Sequence, residues 1–202
     1  ELNGYVQDYG QGTNTVPNDD IYWRNGYVNL RKVNVLLEKA DQYKGNKNDI
    51  KASVATAYFF RAYEHFQLLR RFGGVPIVTE KTNVDSEILY APRNSRYEVI
   101  AQILADLELA IADLPPTATG PNTGKISKYA AVAFKSRVLL YEGTWEKYVG
   151  TTTDFEGSGT ANNSAQHIAD AITAAKLVMD NGGYEIWNKN AQLSNNSYRW
   201  LF

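Results

Sequence analysis

The chain has 202 residues, enough for one ordinary domain, and 44% hydrophobic with 21% charged residues lets it bury a core. Lys plus Arg number 21 against 22 Asp plus Glu, a net charge of −1 that lacks the clustered basic excess of a nucleic-acid binder. The absence of cysteine excludes disulfides, thiolate metal sites and thiol chemistry; two histidines, His65 and His167, give little support for an imidazole metal centre or a histidine triad, so no metal and no cofactor is expected.

Residues 1–20 are rich in Gly, Asn, Thr and Asp without helical period and read as an irregular arm. Asp19 or Asp20 then caps a first helix, in which Trp23, Tyr27, Leu30, Asn34 and Leu37 recur at three- and four-residue steps to an end near Gly45. A second helix starts after Asn48 and aligns Ile50, Val54, Tyr58, Ala62, Phe66 and Leu69; Gly73-Gly74 stops it. Val75–Val78 reads as a short extended stretch and residues 79–94 as a loop. Ser95 and Glu98 form a capping box ahead of Tyr97, Ile100, Leu104, Leu107, Ile111 and Leu114, and Pro115-Pro116 ends that third helix. Ser127 caps a fourth helix with a stripe of Ala130, Phe134, Arg137 or Val138, Tyr141 and Trp145. Residues 149–163 are a polar, glycine-rich excursion. Ser164 opens a fifth helix, with Ile168, Ile172, Ala175 and Met179 expected inward, stopped by Gly182-Gly183.

Helices joined by loops, with almost no strand signal, predict an all-α fold of antiparallel pairs: first with second, third with fourth, and a fifth lacking its mate. Ala57-x3-Arg61-Ala62 in the second helix echoes Ala133-x3-Arg137-Val138 in the fourth, 76 residues on, about two tetratricopeptide units of ~34 residues plus loops. No run of ~18 apolar residues reads as a membrane span, and no basic start followed by an apolar stretch reads as a signal peptide within these residues. The abrupt opening at Glu1-Leu2-Asn3 and the apolar ending Trp200-Leu201-Phe202 read as a chain trimmed at both ends. Residues 188–202 are an irregular tail leading to a further C-terminal portion.

An ordered set of segments resembles a known family. These are Trp23-x3-Tyr27 with Asn34-x-Leu36-Leu37, then Ala57-Tyr58-Phe59-Phe60-Arg61-Ala62-Tyr63 followed by Arg71-Phe72-Gly73-Gly74-Val75-Pro76. Arg96-Tyr97-x2-Ile100, Asp106-Leu107 and Leu114-Pro115 come next, and Gly124-Lys125-Ile126-Ser127-Lys128-Tyr129-Ala130-Ala131 with Arg137-Val138-x-Leu140-Tyr141 complete the series. Over residues 21–187 the chain resembles the N-terminal, tetratricopeptide-like helical part of the SusD/RagB family of surface glycan-binding proteins. The resemblance implies a non-catalytic, lipid-anchored protein on the outer membrane of polysaccharide-foraging Gram-negative bacteria. It implies oligosaccharide ligands and a SusC-like TonB-dependent transporter as partner. The lipid-bearing cysteine and signal peptide are expected upstream of residue 1. The alternative is a tetratricopeptide-like scaffold that recognises a polypeptide without binding glycan.

Tyrosine (14) and tryptophan (4) outnumber phenylalanine (7), and asparagine reaches 18, a supply of half-wet rings and amides suited to sugars or to helical seams. Sugar recognition needs a flat aromatic face flanked by groups that bond hydroxyls. Tyr5, Tyr9 and Trp23, flanking the polar run that holds Asn18 and Asp19, are the ligand-binding candidates, Trp23 fitting a packing role equally well. Trp145, Trp187 and Trp200 are weaker candidates. Arg61 and Arg137, amid apolar stripes, are expected to bond carbonyls or a carboxylate between helices. His65 reads as structural or exposed, and His167 as paired with Asp170. Glu142 and Glu146 share a face at i, i+4, where a glycosidase dyad is the functional alternative to a solvated surface; beside Lys147 they read as the surface.

Overall fold

The computed structural model describes residues 19–149 and 163–185. Tyr5, Tyr9, Asn18, Trp187 and Trp200 lie outside them. Among the described residues there are five α-helices and no β-strand: α1 (Ile21–Asp41), α2 (Lys47–Phe72), α3 (Arg96–Asp113), α4 (Lys128–Tyr148) and α5 (Ser164–Asn181). Short 3₁₀ turns at Glu87–Tyr90 and Gly120–Asn122 interrupt the loops. No described helix is long and apolar enough to cross a membrane.

Local chemistry sets most of the ends. Asp20 accepts hydrogen bonds from the N–H groups of Tyr22 and Trp23, Ser127 accepts one from Ala130, and Ser95 with Glu98 forms the full capping box. Gly73 leaves α2 at φ 71°, a left-handed conformation open to glycine, and Leu114 turns extended ahead of Pro115. α1 stops at Asp41, short of Gly45, because the Lys47 ammonium bonds the carbonyls of Ala40 (2.6 Å) and Asp41 (2.7 Å) and satisfies the last turn. α2 correspondingly starts at Lys47, capped by Asn46 rather than Asn48.

Successive helices run antiparallel. Tyr22 meets Arg71, Gly26 meets Leu68 and Asn29 meets Glu64 between α1 and α2. Arg61 meets Asp106 between α2 and α3, and Ser136 and Gly143 of α4 meet Ala171 and Ser164 of α5. α4 with α5 is the most extensive contact, so the fifth helix has its mate in the fourth. Gly143 makes that approach possible: a Cβ there would lie 2.8 Å from Ile168 Cγ1 and 3.1 Å from the Ser164 carbonyl oxygen. α2 lies between α1 and α3 and is buried over a wide arc, from Ala55 through Phe59, Ala62 and Phe66 to Leu69. Phe134 of α4 packs on Phe59, Tyr63 and Phe66 at 5.4–5.6 Å between ring centroids.

Charged side chains cross this core in sequence. Arg61 of α2 donates to Asp106 of α3 through Nε (2.8 Å) and Nη2 (2.6 Å). Arg96 of α3 donates to both carboxylate oxygens of Glu142 on α4 (2.6–2.9 Å), and Glu146, one turn on, meets His167 of α5 at 3.0 Å. The five Arg and carboxylate partners on α2, α3 and α4 are all buried, with Asp106 and Glu142 fully so. The solvated reading of Glu142 and Glu146 is therefore overturned, as is the pairing of His167 with Asp170, whose carboxylate instead accepts from Gln166. Arg137, by contrast, is exposed, so the echo between α2 and α4 does not extend to the role of the arginine. On α5 the inward line is Ile168, Ala171, Ala174 and Val178; Ile172 (51% exposed) and Met179 (75%) face out.

Arg96→Met alone leaves Glu142 buried without its cation and is expected to cost about 3–5 kcal/mol in urea unfolding, whereas Arg96→Met with Glu142→Leu recovers most of that loss.

Candidate functional site

Two flanks of α1 carry distinct chemistry. Tyr22, Asn25, Gly26 and Asn29 recur at helical steps and face Tyr63, Gln67 and Arg71 of α2 across a groove of about 230 Å³. Tyr22 is 56% exposed, with the Arg71 guanidinium 3.7 Å from its ring centroid, so a flat ring and a cation share one end. Asn29 donates to Glu64 Oε1 at 3.1 Å; burial pushes the Glu64 carboxyl up, against the pull of Asn29 and Lys32. Gly26 keeps the floor low, since a Cβ there would sit 2.8 Å from Leu68 Cδ2. A flat face beside amides, a carboxylate and a guanidinium can pack on a pyranose ring and bond its hydroxyls.

The opposite flank of α1 holds residues 76–82 as a strap. Tyr27 donates to the Pro76 carbonyl (3.0 Å), Arg31 to that of Thr82 (2.9 Å), and Asn34 to those of Val78 and Glu80 (3.0 Å each). From α2, Arg61 adds a bond to the Thr79 carbonyl at 3.1 Å. The Val78 N–H donates to His65 Nε2 (3.3 Å), which places the ring proton on Nδ1, facing the Arg61 carbonyl at 3.0 Å. His65 is thus structural and wholly buried, and burial pulls its pKa down to about 4 despite the nearby Asp106.

Of the sequence-predicted ligand residues described, Asp19 pairs with Arg24 at the start of α1. Trp23 is half-buried, 5.0 Å from Tyr27 and 5.1 Å from Phe72 between ring centroids, with the Arg93 guanidinium 6.0 Å from its ring. The structure brings both to the end of α1 that carries Tyr22. Tyr22, Asn25, Asn29 and Tyr63 were absent from the predicted set, although Tyr22-x2-Asn25-x3-Asn29 is a polar stripe legible beside the apolar one. Glu142 and Glu146 each hold a cationic or imidazole partner from another helix, which removes the geometric case for a glycosidase dyad. Among the described residues no cluster of His, Asp and Glu could hold a metal ion.

Residues 3–140 match the SusD-like family described as "Starch-binding associating with outer membrane". The chain belongs to this SusD-like family. It is 30% identical over 126 residues to SusD-like protein P2 of Formosa agariphila, covering 62% of this chain and 25% of that one. A SusD-like protein from Bacteroides fragilis superposes with a TM-score of 0.66 and 28% identity over 84% of this chain and 28% of its own. A laminarin binding SusD-like protein superposes with a TM-score of 0.59 and 27% identity, covering 70% and 31%. The chain spans about a quarter of the length of the curated relatives it matches.

The low pKa of His65 gives this SusD-like chain a pH signature. As pH falls, the unfolded imidazole takes up a proton near 6.5 while the folded one resists to about 4. Stability from this group is therefore full above pH 6.5 and lost progressively down to pH 4, by about 3 kcal/mol. Urea unfolding from pH 7 to 4 is expected to show that slope, and a His65→Gln chain to lack it.

Proposed function

We propose that this chain is the helical part of a non-catalytic, lipid-anchored outer-membrane protein that binds oligosaccharide at the cell surface and passes it to a TonB-dependent transporter. The observation that carries the reading is the groove of Tyr22, Asn25, Asn29, Tyr63 and Arg71 in a chain of the SusD-like family. The laminarin binding relative supports the ligand class. In this reading Tyr5, Tyr9, Asn18, Asp19 and Trp23 are further ligand contacts. Family membership also supports the outer-membrane location.

The competing reading, a scaffold for a polypeptide, draws on the outward apolar side chains Ile172 and Met179 of α5. Capture of a transporter with no glycan retained would favour it.

Affinity gels and a glycan array with the full-length protein test the proposal. Retention on at least one polysaccharide is expected, and Tyr22→Ala weakens it roughly 10-fold through loss of the stacking face, with the helices intact by circular dichroism. No retention across plant, host and microbial polysaccharides would overturn it.

A further inference from the structure

The strap and the 3₁₀ turn Glu87–Tyr90 line an open cavity of about 450 Å³, on the far flank of α1 from the groove. That volume lies in the range of small-ligand sites. Thr79, Thr82 and Ser86 bring hydroxyls, Glu80 and Glu87 bring carboxylates, and Ile77 and Ile88 bring an apolar side. Lys81 is engaged with Glu38 at 3.1 Å, whereas neither Glu80 nor Glu87 has a side-chain hydrogen bond or ion pair among the described residues.

The wall is fixed before any ligand arrives. Carbonyls from Pro76 to Thr82 are held by Tyr27, Asn34, Arg61 and Arg31, and the Val78 N–H by His65. Little ordering remains to be done on binding, which is the condition under which a polar cleft retains a weakly held, water-like ligand.

We propose that this cavity is a second saccharide subsite, selective for a neutral sugar. It rests on the glycan-binding reading above and deepens it. The hydroxyls of a neutral sugar donate to the two carboxylates, and its C–H face lies on the isoleucines. A uronate or sulfated sugar would bring like charge against Glu80 and Glu87, with Lys81 of the lining already paired to Glu38. The groove and the cavity lie on opposite flanks of α1 and share no lining residue, so the two contribute independently.

Calorimetry on the full chain with laminari-, xylogluco- and malto-oligosaccharides, and with an alginate oligosaccharide as the anionic probe, tests this. Glu80→Ala with Glu87→Ala is expected to weaken the neutral probe about 10-fold or to lower the number bound per chain, while Tyr22→Ala leaves a residual binding event. Both carboxylates are exposed, so thermal unfolding of the double variant should match the parent. If the double variant binds as the parent does, and Tyr22→Ala removes all binding, the second subsite is wrong and the groove stands. Equal affinity for alginate would overturn the neutral assignment. If the parent binds no probe, the glycan-binding reading itself fails.

Discussion

A buried guanidinium must find its carboxylate, and in this chain each such demand is met by the next helix. Arg61 reaches Asp106, Arg96 reaches Glu142, and Glu146 reaches His167, so α2 to α5 are linked in chain order. Taking these charges out of water costs several kcal/mol per ion, and the pairs return that only with good geometry. Their two-pronged bonds are directional where apolar contacts are not, and a helix sliding by one turn would strand a charge in the core. The pairs therefore act on register more than on net stability. Small residues complete the device: Gly143 lets α4 and α5 close to a distance at which Glu146 and His167 meet.

From that register follow both polar surfaces of α1. Arg61 serves two masters, Asp106 in the core and the Thr79 carbonyl on the strap, so the ion pair that aligns α2 with α3 also fixes an irregular segment. His65 lies one turn along and extends the hold to the Val78 amide. On the other flank, the alignment of α1 with α2 through Asn29 and Glu64 sets Tyr22 under Arg71. Helices that are themselves unremarkable thus present rigid polar surfaces without a sheet to support them.

Features with local causes were legible in the sequence. The Ser95–Glu98 box, the stop at Gly73, the turn at Pro115 and the stripe of α3 are each decided within a few residues. The misreadings share a different origin. Arg61 and Arg137 sit in the same Ala-x3-Arg context, but Arg61 faces an acid on another helix, Asp106, whereas Arg137 is exposed. Glu142 looked solvated beside Lys147 because its cation, Arg96, lies far off in the chain. The α5 face was misplaced because its inward residues include Ala171 and Ala174, too small to register against Ile172 and Met179. The groove straddles two helices, so neither half shows its purpose alone. One of its aromatics, Tyr22, stands beside Trp23, which follows the apolar stripe.

The dependence of the strap on the buried pair is most directly read by native-state hydrogen exchange in an Arg61→Met, Asp106→Leu chain. That pair of changes keeps the core apolar while removing the charges and the Arg61 bond to the Thr79 carbonyl. The account predicts that the amides of Ile77 and Val78, bonded to Asn94 and His65, lose much of their protection while α4 and α5 keep theirs. Protection at Ile77 and Val78 unchanged from the parent would contradict it.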